Sequence, residues 1–262
     1  MTENTLRRKL MAGEAAIGVG VRFCTSVEMG ALMADCGYDF LFIDFEHSMF
    51  SMETAVNMSQ AALTAGITPL VRIPEGEIAM GTRALDGGAW GLVLPHVNTA
   101  EDARKYVHHF KYPPLGERSS GPPMPQLGFQ SPAKVSDAFN EQMLLAAMIE
   151  TPEAVENAES IAAVNGIDIL FIGTNDLTLT MGLKGDLLNP RVTEAYEKVI
   201  AACRKHKKIP GAGGIYDDAV IKRNIAMGMR FILAGGDYLY MVSAAKARTA
   251  AIADAVAATR KK

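Results

Sequence analysis

The chain is short of the features that mark several large protein classes. Its three cysteines, Cys24, Cys36 and Cys203, are scattered and none belongs to a CxxC pair, which argues against a disulfide framework and against a zinc site. A reducing compartment suits them. No apolar run is long enough to cross a bilayer, and in the opening MTENTLRRKLMAGEAAIG the charge of Glu14 interrupts what a signal peptide would need as an apolar segment. The expected location is the cytoplasm, with no membrane partner. A basic stripe is missing too: 26 Lys and Arg stand against 29 Asp and Glu, a formal charge of −3. The cluster KHKK at Lys205–Lys208 reads as a solvated helix end, so nucleic acid is not an expected partner.

What is present is an ordinary globular composition, 49% hydrophobic and 21% charged over 262 residues, enough for a sizeable core. Short apolar runs alternate with helical patterns, and each run closes on Gly, Pro or a charge. The pattern predicts eight strands: Ala15–Phe23, Tyr38–Glu46, Thr68–Pro74, Gly91–Val97, Leu144–Glu150, Ile167–Gly173, Ile209–Ile215 and Arg230–Gly236. Between them, segments such as SMETAVNMSQAALTAG start on a capping hydroxyl and end on Gly. Strands apolar on both faces and separated by helices are parallel and covered on both sides. Eight such units, with no boundary composition to divide the chain, predict one α/β domain over residues 1–262, a (β/α)8 barrel.

One connection is anomalous. YPPLGERSSGPPMPQLGFQSP, Tyr112–Pro132, holds so many Pro and Gly residues that it reads as a long loop, and loops of that length are usually lids, binding loops or disordered. A plain surface insertion is the alternative.

Barrel enzymes build their sites at the C-terminal strand ends, and this chain concentrates polar residues there. Asp44, Glu46 and His47 follow strand two, Arg72 lies on strand three, His96 on strand four, Glu150 ends strand five and Asp176 lies just past strand six. Glu150 and Asp176 offer hard oxygen ligands suited to Mg²⁺ or Mn²⁺, with water and substrate oxygens in the remaining positions; Co²⁺ is a further option. Taken singly, Glu150 could instead cap the helix starting at Thr151, and Asp176 could be a turn residue or N-cap. Likewise Arg72 could be a salt-bridge partner of a rim acid and His47 a helix-entry residue. The stretch Gly173, Thr174, Asn175 ends a strand just before a helix, where unpaired N–H groups can receive a substrate carboxylate.

As a set, YDFLFIDFEHS, TPLVRIP, GAWGLVLPHVNTAEDARKYVHHFKYPPLGERSSG, MIETPEAVEN and GIDILFIGTNDLTLTMG resemble the HpcH/HpaI family of metal-dependent pyruvate aldolases, in order and across nearly the whole chain. The resemblance implies a (β/α)8 barrel of the phosphoenolpyruvate/pyruvate-binding type, its last helix packed on a neighbouring subunit, and a hexamer. It implies a divalent metal on Glu150 and Asp176, Arg72 on the keto oxygen of a 2-oxo acid, His47 acting with Asp44, and Glu46 in support. The chain departs from the family at GTND, where GPAD is commoner, at Met148, where many relatives carry Gln, and at His96, where many carry an apolar residue.

The chemistry of these residue types agrees. Metal and Arg72 would stabilise the enolate of a 2-oxo acid, and His47, with an ordinary pKa near neutrality, can move a proton on or off the aldehyde or alcohol oxygen. The expected reaction is cleavage or formation of a 4-hydroxy-2-oxo acid, giving pyruvate or a related 2-oxo acid plus an aldehyde. The alternative is a metal-dependent 2-oxo acid decarboxylase or carbon–carbon bond-forming enzyme that uses the same enolate. A Schiff-base aldolase would need a strand-end lysine, and none of the predicted strands ends on one. A phosphate-binding barrel could use GAGG (Gly211–Gly214) and AGGD (Ala234–Asp237), although glycines there could equally serve close packing. A catalytically dead scaffold would have lost one of the rim groups.

Overall fold

Eight of the apolar runs form strands: β1 (Ala16–Val21), β2 (Phe40–Asp44), β3 (Thr68–Arg72), β4 (Gly91–Leu94), β5 (Leu144–Ile149), β6 (Ile169–Gly173), β7 (Ile209–Gly213) and β8 (Phe231–Gly236). They pair in parallel, in sequence order, and β8 closes on β1. The computed structural model describes residues 3–259; the end of the expected C-terminal helical segment, residues 260–262, lies outside the described residues. Several strands stop short of the expected bound at the mouth, because the residues there turn out of the sheet. Asp44 Oδ1 accepts the backbone N–H groups of Glu46 at 3.1 Å and His47 at 3.2 Å, a local side-chain turn that ends β2. β4 ends before Pro95, and His96 follows in the left-handed region at φ 51°.

Helices cover the outside, and local chemistry sets their ends. The helix Met52–Ala65 starts where Ser51 Oγ accepts the Thr54 N–H, and stops at Gly66, whose φ of 78° suits glycine. Thr151 Oγ1 accepts the Ala154 N–H at 3.1 Å, so the helix Pro152–Glu156 is capped by Thr151 and leaves Glu150 uncommitted. Asp176 lies inside the first turn of the helix Thr174–Thr180, past its N-cap at Gly173.

Strand parity divides the apolar residues into two cores. Phe40, Phe42, Leu70, Val93, Met148, Phe171 and Phe231 fill the barrel, while their strand neighbours pack outward under the helices. The rings of Phe40 and Phe231 stack with centroids 4.3 Å apart. A Cβ at Gly18 would come within 2.1 Å of the Phe40 ring, and one at Gly213 within 2.5 Å of Phe171. Close packing thus accounts for Gly18 of β1 and for Gly213 in GAGG, which the phosphate-site reading had drawn on. The helix Thr5–Met11 places Leu6 and Leu10 against this interior core from the strand N-termini and closes the floor.

The same parity aims the last inward position of each strand at the mouth: Asp44 after Phe42, Arg72 after Leu70, Glu150 after Met148 and Gly173 after Phe171. The Pro/Gly-rich segment belongs to the opposite end. It follows a helix, Ala100–Phe110, so the chain has already returned to the floor when it begins. There Met124, Gln126 and Leu127 are buried, and Gln126 Nε2 donates to the carbonyls of Leu85 at 2.7 Å and Ala89 at 3.2 Å. The segment expected as a lid or binding loop is anchored at the floor of its own subunit through Met124, Gln126 and Leu127, while residues 119–120, 122–123 and 128–131 stay exposed.

Candidate active site

β2 and β3 pair with Asp44 opposite Arg72, which sets the two side chains next to each other on the inward face. Arg72 Nε donates to Asp44 Oδ1 at 3.0 Å and Nη2 to Oδ2 at 2.6 Å, a two-pronged ion pair with both side chains buried. The third nitrogen, Nη1, lies 2.9 Å from Glu46 Oε2, and the guanidinium carbon stands 5.5 Å over the Phe42 ring. Arg22, the residue after β1, adds its Nε at 2.6 Å from Asp44 Oδ2. Burial alone would disfavour the charged Asp44, but the hydrogen bonds and charge of Arg72, with those of Arg22, outweigh it and hold the carboxyl below its usual range.

Glu150 is also buried, but no Lys or Arg pairs with it among the described residues. Its Oε1 accepts the backbone N–H of His96 at 2.7 Å and lies 3.2 Å from His96 Nδ1. Burial raises the Glu150 pKa; the His96 contacts oppose that rise, and the charges of Asp176 and Glu46 add to it. Gly173 leaves the other oxygen open: a Cβ there would come within 2.7 Å of Glu150 Oε2. Two carboxylates close enough to feel each other's charge, neither in a salt bridge to Lys or Arg among the described residues, and a glycine that keeps one oxygen uncovered fit a hard divalent cation. Among the described residues no three His, Cys, Asp or Glu side chains are grouped to enclose such an ion, so Glu150 and Asp176 would supply two positions and leave the others to substrate and water.

The remaining expected residues divide. Asn175 and Asp176 line a small cleft with Arg22, Arg72, Met148, Gly173 and Gly214. Thr174 turns inward, its hydroxyl bonded to Tyr196 Oη at 2.7 Å, so what it offers the cleft is backbone. His47 is exposed; Asp44 meets its backbone N–H and leaves its imidazole free, whose Nε2 lies 3.8 Å from Glu46 Oε2. Arg22 was not among the residues expected at the site, though β1 parity pointed to it: Ala16, Gly18 and Gly20 alternate inward, and position 22 continues the series. Asp237, at the start of the C-terminal helix, was also missed. Its carboxylate accepts the backbone N–H groups of Arg22, Phe23 and Cys24, the last at 2.7 Å, and so fixes the turn that carries Arg22. AGGD suggested glycines there; the acid beside them does the work.

Known proteins resemble this chain in sequence and in fold. The profile of the HpcH/HpaI aldolase/citrate lyase family matches residues 25–236. A 4-hydroxy-4-methyl-2-oxoglutarate aldolase of Hapsidospora irregularis is 38% identical, over 90% of this chain and 89% of that protein. A 4-hydroxy-2-oxo-heptane-1,7-dioate aldolase of Escherichia coli is 32% identical, over 95% of this chain and 94% of its own length. The crystal structure of an HpcH/HpaI aldolase from Desulfitobacterium hafniense superposes with a TM-score of 0.87 at 32% identity, covering 96% of both chains.

Proposed function

Since the chain belongs to the HpcH/HpaI aldolase/citrate lyase family, we propose that its mouth cleft cleaves 4-hydroxy-2-oxo acids to pyruvate, or a related 2-oxo acid, and a carbonyl product. It is a carbon–carbon lyase of the aldolase type. The observation that carries the assignment is the separation of charge in one site. Asp44 and Glu46 are taken up by Arg72 and Arg22, while Glu150 and Asp176 have no Lys or Arg partner among the described residues.

Glu150 and Asp176 would hold the divalent cation, Mg²⁺ or Mn²⁺ by their oxygen-only chemistry, and the cation supplies Lewis acidity toward the carboxylate and keto oxygen of the 2-oxo acid. Arg72 directs its guanidinium at the keto oxygen. Its bonds to Asp44 hold that guanidinium rigid, so it meets the negative charge that develops on this oxygen without reorganising. Backbone N–H groups at Gly173–Asn175 receive the substrate carboxylate. In cleavage, the C4 hydroxyl loses its proton, the C3–C4 bond breaks, its electron pair passes into the C2–C3 enolate, and C3 is then protonated to give the pyruvate methyl. His47 suits the hydroxyl proton: its imidazole is exposed at the rim, near Glu46 and free of Asp44.

Self-association belongs to the same proposal. The helix Asp237–Thr259 buries no residue on its own barrel and leaves Met241, Ile252 and Val256 exposed, so a neighbouring subunit is its proposed contact, in a hexamer as the resemblance implies.

The test needs no knowledge of the carbonyl acceptor. With Mg²⁺ or Mn²⁺, the enzyme should exchange the methyl protons of pyruvate with D₂O; EDTA should abolish the exchange and added metal restore it. Exchange that survives EDTA and is blocked by borohydride would point to a Schiff base instead. No exchange, with pyruvate shown to bind, would defeat the aldolase reading.

A further inference from the structure

Arg22 has more hydrogen-bonding capacity than its own fold consumes. Its side chain is 45% exposed and lines the same cleft as Arg72, Asn175 and Gly214. One donor, Nε, is bound to Asp44; Nη1 and Nη2 have no protein acceptor among the described residues. Asp44 does not need Arg22 to be neutral or satisfied, because Arg72 already occupies both of its oxygens. The turn carrying Arg22 is nevertheless tied down by backbone N–H bonds to Asp237, at 2.8 Å from Phe23 and 2.7 Å from Cys24. A second guanidinium, fixed at Nε and at its backbone, thus presents a free fork to the cleft beside the first. A planar pair of N–H donors matches a carboxylate.

We propose that Arg22 is a specificity-determining residue that binds a second carboxylate, the one on the acceptor half of the substrate, so that the preferred substrates are 4-hydroxy-2-oxo dicarboxylic acids and the preferred acceptor is itself an oxo acid. The assignment rests on the aldolase reading and adds to it. Arg72 serves the oxygen of the enolate half, and Arg22, held at Asp44 Oδ2 beside Arg72 Nη2 and lining the same cleft, is the guanidinium left for what is bonded to C4. A neutral aldehyde would leave the Arg22 fork unpaired in the closed complex, whereas a carboxylate on or near C4 pairs it.

The experiment compares two acids that differ in one group on C4. In 4-hydroxy-4-methyl-2-oxoglutarate C4 bears a carboxylate; in 4-hydroxy-4-methyl-2-oxopentanoate a methyl of similar size replaces it. Both release pyruvate, followed by reduction to lactate, with Mn²⁺ and the full-length enzyme. Wild type should favour the dicarboxylate, and Arg22→Met should reduce the kcat/KM ratio of dicarboxylate to monocarboxylate on the order of thirtyfold, as for loss of a hydrogen bond to a charged group. Each protein is measured on both acids, so the intrinsic reactivities of the acids and any shared effect through Asp44 cancel from the comparison. If Arg22→Met does not fold, Arg22→Gln gives the same comparison. An equal fall on both acids would make Arg22 a partner of Asp44 alone and overturn the proposal, as would an unchanged ratio. Should wild type cleave neither acid yet still exchange pyruvate protons with metal, the proposal on Arg22 falls and the enolate reading stands; if the exchange is absent too, both fall.

Discussion

At the floor of the barrel Lys111 is buried, and its ammonium donates to the carbonyls of Asn140 at 2.9 Å and Met143 at 2.7 Å with Asp168 at 3.7 Å. Asp168 in turn accepts the Leu145 N–H at 3.0 Å and meets Arg7 at 3.0 Å. At the mouth, buried Glu150 has a histidine and a backbone N–H for company and two further carboxylates nearby. Both ends of the barrel bury charge, yet among the described residues one end pairs it within the chain and the other leaves a carboxylate without a Lys or Arg partner. A satisfied buried charge is structure. An unsatisfied one marks a candidate ligand site, so the contrast between the ends points to where packing stops and chemistry is to be sought.

The contrast breaks first at Glu150. Glu150→Gln should reduce metal-dependent pyruvate exchange on the order of a thousandfold, the several kcal/mol of lost charge stabilisation. The metal-free variant should melt no lower than wild type at neutral pH, since it removes a carboxylate that burial disfavours. A variant that kept activity would place the metal elsewhere, and one that unfolded would make Glu150 structural. Arg72→Lys keeps a charge but loses the planar fork, and turnover should fall on the order of a hundredfold. Full activity in that variant would reduce Arg72 to a salt-bridge partner of the rim acids.

Lys111→Met probes the floor and should do the reverse. It leaves two carbonyls without their donor, at a cost of about 2–4 kcal/mol, and kcat/KM should stay within about twofold because the site is distant. Denaturant midpoints and initial rates on one preparation decide it; a large loss of activity in a stable variant would couple the two ends. The smallest effect is in the acid limb. The folded pKa of Asp44 lies below its ordinary 3.8, so the stability it adds is complete above 3.8 and is lost as pH falls through the lower folded value. Asp44→Asn should therefore be less stable than wild type at neutral pH, with the gap narrowing below 3.8. A gap constant down to pH 2 would show that the ionised carboxylate contributes nothing to the fold.

Much of this was legible one strand at a time. The eight strands fall within the expected segments, and their parity, with Phe42 then Asp44, Leu70 then Arg72, Met148 then Glu150, already assigns these polar residues to the barrel interior at its mouth. The family resemblance is confirmed by the match over residues 25–236. The Pro/Gly-rich segment is the long irregular connection expected, but composition did not say which end of the barrel it occupies; its position after a helix places it at the floor, away from the mouth of its own subunit. Arg22 was missed because β1 was followed into Phe23 as one apolar run, which hid a charged residue on the inward phase.

The sequence by itself determined the periodicities: which residues alternate, which cap, where glycine must yield to a ring, and hence a barrel with acids and arginines at its mouth. Local chemistry suffices for that, because propensity, capping and a period of two act over a few residues. Pairing was decided only by tertiary structure. Asp44, Arg72 and Arg22 meet because β1, β2 and β3 are neighbours in one register, and Glu150 is left without a cationic partner because, among the described residues, no Lys or Arg comes within salt-bridge distance of it. Residues separated by tens of positions in the chain become a few ångströms apart when the sheet closes, and which charges then cancel and which stay open depends on that closure.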